Sequence, residues 1–184
     1  KETFTDINSN KSEIDFMHRL MDIEYYENGD TKAVKLPYTN GLSMIVVLGD
    51  TKNILDVIQN NKMTSEIVNV SLPKFKAEYS IDYTDTLKNM GIEKAFSNAN
   101  ADFSLMLENY PESIKIDSVL QKAMIDVDEK GTEAAAATST IMVGTGADTT
   151  LEKIIEFRAD KPFTYYILDD SGNVYFAGRY VKAE

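Results

Sequence analysis

The chain has 184 residues, of which 43% are hydrophobic and 10% aromatic, so it can bury the core of one folded domain. Its net charge of −11 makes nucleic acid and anionic membranes poor partners, and its lack of cysteine excludes disulfides, thiolate catalysis and cysteine-ligated metal. It contains no apolar run of bilayer length and no basic-then-apolar N-terminus, so we expect neither a membrane-inserting segment nor a signal peptide within it.

Strand patterns dominate the first part of the chain. Residues 14–26 and 33–38 predict a hairpin around the turn Asn28-Gly29-Asp30. The next segment, "GLSMIVVLG" (41–49), is a continuous apolar run, which is typical of a strand buried on both faces.

The middle of the chain combines short helical segments with an extended one. Apolar residues at helical spacing in 51–60 predict a short helix, for which Thr51 is a plausible N-cap. Residues 66–83 predict one long strand with an irregularity at Pro73. The pattern of 82–92 then predicts a second short helix.

The last part of the chain is again extended. Residues 114–127 alternate through apolar positions and predict another long strand. Residues 161–170 and 173–183 predict a hairpin around the turn Asp170-Ser171-Gly172. The whole pattern predicts an α+β chain weighted towards β.

No catalytic, metal or cofactor site emerges from the residue patterns. His18 is the only histidine, and without a motif around it we interpret it as a structural or surface residue. Zinc would need several histidine or cysteine ligands, and Asp169-Asp170 lacks the spacing of a calcium loop. The segment "GTGADTT" (144–150) has no lysine or helix after it, so a phosphate site is not expected. We therefore predict no enzyme, no metal and no cofactor.

The segment "VDEKGTEAAAATSTIMVGTG" (127–146) is unusual in a chain rich in β-branched residues. Four successive alanines favour two turns of helix over 132–138, although a helix of that length is marginal in water. The alternative is a mobile surface segment whose side chains are small enough to enter a tight slot elsewhere. The residues of this segment alone leave both interpretations open.

Taken in order, the segments resemble the C-terminal half of a serpin over essentially all 184 residues. The resemblance is carried by "VKLPYTNGLSMIVVLG", "VSLPKFKAEYSIDYTDTLKNMGIEKAFS", "ADFS", "DEKGTEAAAAT", "EFRADKPFTYYI" and "VYFAGRYV". The most specific is "DEKGTEAAAAT", which is similar to the hinge that opens the reactive-centre loop of inhibitory serpins. The sequence departs from the family pattern at Gly49-Asp50, where a proline is usual, and in a loop several residues longer than in familiar members.

The resemblance implies an α+β serpin fold, of which this chain would be the β-rich C-terminal half, a single domain part over 1–184. It would contain parts of the three serpin sheets plus short helices. The third serpin sheet would take strands from 2–8 and 13–27, and the second would take 33–39, 43–48 and the final hairpin. The large serpin sheet would take strands from 74–83 and 121–128, with helix 84–90 between them. The reactive-centre loop would be 129–150.

The resemblance also implies a protease inhibitor that acts as a suicide substrate, with no catalytic residues of its own. Counting from Gly131 along the family register places the reactive bond at Thr145–Gly146. Because the loop is long, cleavage after Ile141, Met142 or Val143 is an open alternative. We expect an ion pair between Lys74 and Glu129 at the top of the large sheet, and Gln121 lies at the gate through which the loop enters. The implied hinge residues are Glu129, Lys130, Gly131, Thr132, Glu133, Ala134, Ala135, Ala136, Ala137 and Thr138.

The expected partners follow from this segment and from the family. No lysine or arginine lies between Lys130 and Lys153, which favours elastase-like, subtilisin-like or papain-like proteases as targets. The other expected partner is the N-terminal half of the same serpin, and family analogy suggests a secreted or cell-surface protein. A non-inhibitory serpin that acts as a carrier or binding module is the alternative function, and a stand-alone half-barrel binding module is the alternative outside the fold.

Overall fold

The computed structural model describes residues 1–106, 114–129 and 153–183, and within them the chain is rich in strands. The strands are β1 (Glu2–Thr5), β2 (Lys11–Ile14), β3 (Phe16–Asn28), β4 (Thr31–Pro37), β5 (Leu42–Leu48), β6 (Thr64–Pro73), β7 (Phe75–Asp82), β8 (Leu120–Val127), β9 (Ile155–Arg158), β10 (Phe163–Asp169) and β11 (Val174–Tyr180). Two short helices accompany them, α1 (Ile54–Gln59) and α2 (Thr84–Asn89), with single 3-10 turns at Lys94–Phe96 and Ser104–Met106.

The chain divides into two compact units, Lys1–Phe75 with Asp126–Glu184, and Lys76–Ile125. The first unit is built on a seven-stranded sheet in the order β11-β10-β5-β4-β3-β6-β9. Neighbouring strands are antiparallel except for β6 and β9, which run parallel. The predicted hairpin of β3 and β4 is confirmed, with Tyr25 opposite Val34.

The two faces of this sheet carry different cores. Side chains alternate along β5, so Ile45 and Val47 point to one face and Val46 to the other. The face of Ile45 and Val47 packs against buried residues of α1, while Tyr165, opposite Val46, lies on the second face. There the rings of Phe4, Phe75, Phe163, Tyr165 and Tyr180 form one aromatic group with centroid separations of 5.0–5.5 Å. The prediction that this strand is buried on both faces is therefore confirmed.

The hairpin of β1 and β2 is a separate two-stranded sheet within the first unit. Phe4 is fully buried in the aromatic group, and the backbone N–H of Thr5 donates to the carbonyl of Asp160 over 2.8 Å. The N–H of Ile7 likewise donates to the carbonyl of Val181 over 2.9 Å. This hairpin is thus bonded to the chain that follows β9.

The predicted capping role of Thr51 is wrong. Helix α1 begins at Ile54, and its N-cap is Asn53, which makes no side-chain capping bond. The reason lies in the preceding turn, where Asp50 Oδ1 accepts the N–H of Lys52 over 3.0 Å. That local bond holds the chain outside the helical conformation for two further residues, because Asp side chains stabilise turns in competition with helix.

The single strand predicted over 66–83 is also wrong, because the chain forms β6 and β7 in two different sheets. Pro73 ends β6, and Lys74 leaves the ladder by donating its N–H to the carbonyl of Asp15 over 2.8 Å. The irregularity expected at the proline is therefore a complete change of sheet.

The second unit contains most of the sheet of β7 and β8, together with α2 and both 3-10 turns. The long strand predicted from residue 114 begins only at Leu120. Before that, the N–H of Ile116 donates to the carbonyl of Ala95 over 2.9 Å, and the N–H of Val119 donates to Thr84 Oγ1 over 2.9 Å. Because these amides bond to a 3-10 turn and a helix, they do not take part in a strand ladder.

Candidate loop-anchoring site

The segment predicted as a reactive-centre loop lies mostly outside the described residues. Of its residues the structure describes Glu129 alone. The predicted hinge from Lys130 to Thr138 and the predicted bond Thr145–Gly146 fall in the part that is not described. The site can be built from the strands on either side, β8 before the segment and β9 after it.

The structure brings Lys74 and Glu129 together, with 2.5 Å between Lys74 Nζ and Glu129 Oε1. Lys74 is held by its backbone bond to Asp15, directly after the rigid and buried Pro73. Glu129 follows the end of β8, where Val127 is buried. The ion pair therefore joins the junction of β6 and β7 to the residue that precedes the predicted hinge.

The two charges stabilise each other. The hydrogen bond to Glu129 raises the pKa of Lys74 above its usual value, and the same bond lowers the pKa of the Glu129 carboxyl. Both side chains are more than one-third exposed, so solvent screens the pair and its contribution to global stability is small. The main effect of the ion pair is to hold Glu129, the residue that follows the end of β8, next to Lys74.

An apolar cavity of about 200 Å³ opens beside Glu129, on the face of the seven-stranded sheet that carries the aromatic group. Sequence reasoning did not predict this cavity, because its lining comes from strands far apart in the chain. The apolar lining residues are Met17, Met21, Leu36, Met44, Val70, Leu72 and Val127.

Gln121, predicted to act at the gate, lies in β8 within the second unit and is exposed to solvent. Among the described residues, β8 has β7 as its only neighbouring strand. One edge of β8 therefore presents backbone N–H and C=O groups that no described strand pairs.

His18 has more contacts than its sequence context indicates. Its Nδ1 lies 3.0 Å from Ser71 Oγ, and its Nε2 contacts the carboxylate of Glu2. Ser71, His18 and Glu2 are thus linked in the order in which a catalytic serine, histidine and carboxylate would be. Ser71, however, is only 4% exposed and does not line the cavity beside Glu129. A nucleophile that no substrate can reach does not catalyse, so the interpretation of His18 as structural is retained.

Other chemical sites are not found in the part of the chain that the structure describes. No group of three or more histidine, aspartate or glutamate side chains there is placed to hold a metal ion. No described helix is long and apolar enough to cross a membrane.

Comparison with known proteins gives a consistent result. The family model for "Serpin (serine protease inhibitor)" matches residues 1–183. An uncharacterised serpin-like protein of Methanosarcina mazei is 36% identical over 97% of this chain and 44% of its own length. Serine proteinase inhibitor 2 of Variola virus is 34% identical over 83% of this chain and 45% of its own.

Solved structures agree with the sequence comparison. The crystal structure of the thermophilic serpin Tengpin in its native state is 30% identical, with a TM-score of 0.73 over 99% of this chain and 49% of that chain. The chain thus spans about half the length of the relatives that it matches, and the expected β-rich part of the serpin fold is confirmed. On the family match and on this shared fold, the chain belongs to the serpin family.

Proposed function

We propose that the protein inhibits proteases as a suicide substrate. A target protease attacks the carbonyl carbon of Thr145, the peptide bond to Gly146 breaks, and the protease remains attached through the acyl bond. The freed segment after Glu129 then enters the sheet of β7 and β8, next to β8, and carries the attached protease with it. Loop insertion in serpins is a known strain-releasing switch, and its use by this chain is the proposal.

The observation that carries the proposal is the sequence "DEKGTEAAAAT" directly after β8. A segment that becomes a central strand must lack proline and must pass between packed side chains, and no proline occurs from Thr132 to Val143. Strand alternation places Thr132, Ala134 and Ala136 on one face and the charge of Glu133 on the other. The leading face is therefore small and uncharged, which keeps the steric cost of entry low.

The surroundings of the segment support the same mechanism. The edge of β8 that no described strand pairs offers a ladder of backbone groups to an incoming strand. The ion pair of Lys74 and Glu129 holds the point at which that strand would begin. Each new ladder bond stabilises the inserted form, so insertion is downhill once the loop is cut.

The proposed targets follow from the residues before the bond. Val143, Gly144 and Thr145 are small or β-branched, and no basic residue lies between Lys130 and Lys153. We expect serine proteases of elastase-like or subtilisin-like specificity, or papain-like cysteine proteases, and we do not expect trypsin-like ones. Such targets act outside the cell in many settings, so a secreted or cell-surface location forms part of the proposal.

The second proposed partner is the other half of the same serpin. A two-stranded sheet is marginally stable in water, and β7 and β8 have exposed apolar residues in Tyr79, Leu120 and Met124. Further strands from an N-terminal half would cover such a sheet. A mass for the intact gene product well above 20.6 kDa would support this covalent arrangement.

The decisive test is incubation of the intact gene product with a panel of serine and cysteine proteases. We expect an adduct that survives SDS with an elastase-like or subtilisin-like enzyme, and a released C-terminal peptide that begins at Gly146. Trypsin serves as the matched negative protease. Cleavage in this segment by every enzyme without any adduct would contradict the proposal.

A carrier function is the second candidate, and the cavity beside Glu129 is the observation in its favour. Its volume of about 200 Å³ lies below the range of roughly 300–1,000 Å³ that is common for ligand sites, so inhibition is the better supported function. A carrier would bind a small apolar molecule there without forming protease adducts, and Met44→Trp would abolish that binding by filling the cavity.

A further inference from the structure

Glu2 contacts two side chains from different strands, an arginine and a histidine. Its carboxylate contacts Arg158 Nη2 of β9 through Oε2 and His18 Nε2 of β3 through Oε1. Glu2 itself belongs to β1, so the three residues link the hairpin of β1 and β2 to β3 and β9 of the seven-stranded sheet. We refer to Glu2, His18 and Arg158 together as the Glu2 latch.

Further contacts hold the latch in place. Arg158 Nε also lies 3.1 Å from Asp160 Oδ2, and the guanidinium stands 5.5 Å from the ring centre of Phe16. The same ring stacks on His18 with 6.4 Å between centroids, and Ser71 of β6 bonds to Nδ1 of that histidine. The titratable and charged groups that face Glu2 are therefore His18 from β3 and Arg158 from β9, with Asp160 beyond the arginine.

The latch is partly removed from solvent. The side chain of Glu2 is 26% exposed, and its Oε2, the oxygen that faces Arg158, is buried. A buried carboxylate oxygen that loses its cation is costly, because neither water nor another donor replaces the partner. The Arg158 side chain is 44% exposed, so solvent still screens part of this ion pair.

β9 is short, so each of its side-chain contacts is a large share of what holds it, although the backbone N–H of the next residue, Ala159, also donates to the carbonyl of Ser71 over 2.9 Å. It is a four-residue strand at the edge of the sheet, paired only with β6 among the described strands, and in the parallel arrangement that is slightly the weaker one. One large side chain, Phe157, is fully buried, and Asn69 Nδ2 donates to the carboxylate of Glu156 over 3.0 Å. The latch supplies the remaining side-chain attachment described at this edge.

We propose that Glu2 is a positioning residue that holds β9 on β6 and thereby fixes the C-terminal base of the segment 130–152. Loss of its charge frees β9 while the rest of the seven-stranded sheet stays folded. β9 would thus detach from β6 in a local opening event. The free energy of that event would be lower than the free energy of global unfolding. The proposal does not depend on protease inhibition, although its relevance to the loop rests on the proposed function.

The charge state of Glu2 gives the latch a pH dependence. Burial alone raises the pKa of Glu2, but the bond and charge of Arg158, together with those of His18, outweigh it and hold the pKa below the ordinary value. A carboxyl group with a lowered folded-state pKa stabilises above its unfolded pKa and loses that effect as pH falls through the folded one. The latch is therefore closed at neutral pH and opens in acid.

The test is amide hydrogen exchange of β9 in the intact gene product, with Glu2→Gln and the matched control Glu13→Gln. Glu13 is a carboxylate of the same hairpin that accepts from Thr3 Oγ1 over 2.5 Å and does not touch the latch. We expect E2Q to lower the protection factors of residues 155–158 about tenfold at neutral pH, with those of β5 unchanged. E13Q should leave both strands as they are. Equal protection of β9 in wild type, E2Q and E13Q would overturn the proposal.

A pH series separates positioning from a general loss of stability. In the wild type the protection factor of β9 should fall in acid, below the ordinary range of a carboxyl group, whereas in E2Q it should be flat there. Arg158→Lys, which keeps the charge but loses the bidentate fork, should give an intermediate value and also serves if E2Q does not fold. Parallel pH curves for wild type and E2Q would contradict the role of Glu2, whatever the variants do to protease adducts.

Discussion

The seven-stranded sheet and the sheet of β7 and β8 are both rich in apolar residues, yet they differ in completeness. In the seven-stranded sheet, β5 is buried on both faces and α1 covers one side of the core. In β7 and β8 most side chains are exposed, and apolar ones such as Met124 are among them. The first sheet is covered on both faces, whereas the second ends at an edge of β8 that no described strand pairs. The chain spans about half the length of its serpin relatives, so both the proposed inserted segment and strands of an N-terminal half are candidates for pairing with this sheet.

The largest expected effect concerns the segment that would add to β8. Thr132→Arg places a charge on the face that enters the sheet, where no partner is available, so insertion should stall. We expect a variant that is cleaved by the target protease but forms no SDS-stable adduct. Glu133→Arg, on the opposite face, is the matched control and should still trap protease. If T132R still traps the protease completely, the proposed insertion beside β8 is wrong, and the difference between the two sheets has no role in inhibition.

The next effect tests the contrast in stability directly. Ile45→Ala in β5 removes a fully buried side chain and should lower the free energy of unfolding by about 2–5 kcal/mol. Met124→Ala in β8, where the side chain is 60% exposed, should change it by less than about 0.5 kcal/mol. Urea unfolding of both variants measures the difference. Similar losses would mean that β8 is as tightly packed as β5.

A smaller effect is expected at Gly178 in β11. A Cβ there would clash with Tyr165 Oη, and that ring is packed against Phe75 with 5.3 Å between centroids. Gly178→Ala should therefore cost about 1–3 kcal/mol through overpacking. Ala177→Ser, at the exposed neighbouring position, is the control and should stay within about 0.5 kcal/mol in the same thermal or urea unfolding experiment. A neutral G178A would show that the aromatic group adapts freely.

The smallest effect is expected for the ion pair beside β8. Lys74→Ala or Glu129→Ala should lower the temperature of heat-induced polymerisation by a few degrees at most, since the pair is exposed. The pair should weaken as pH falls through the lowered pKa of Glu129, and again as pH rises through the raised pKa of Lys74. Lys62→Ala, which breaks an exposed pair on Asp56, is the control. An unchanged polymerisation temperature across this pH range would count against a role for the pair.

Much of the fold follows from local sequence pattern. The continuous apolar run of β5 predicts burial on both faces, and the turn around Asn28-Gly29-Asp30 predicts the hairpin of β3 and β4. The same local logic fails at Pro73 and before Leu120, because the backbone amides there bond to groups elsewhere in the chain. Hydrophobic periodicity predicts which residues can form a strand, but it does not predict which carbonyl groups accept the hydrogen bonds of their amides.

The sequence by itself determined the family, the strand-rich character and the small-residue segment that suggests inhibition. Only the tertiary structure decided that Glu2, His18 and Arg158 meet. β3 and β9 lie on either side of β6, and the hairpin of β1 and β2 is bonded to the residues that follow β9. His18 and Ser71 are 53 residues apart in the chain, yet they are direct partners in the register of β3 and β6. Ionic contacts form between side chains a few ångströms apart in space, whatever their separation in the sequence. They therefore produce no periodic pattern from which they could be predicted.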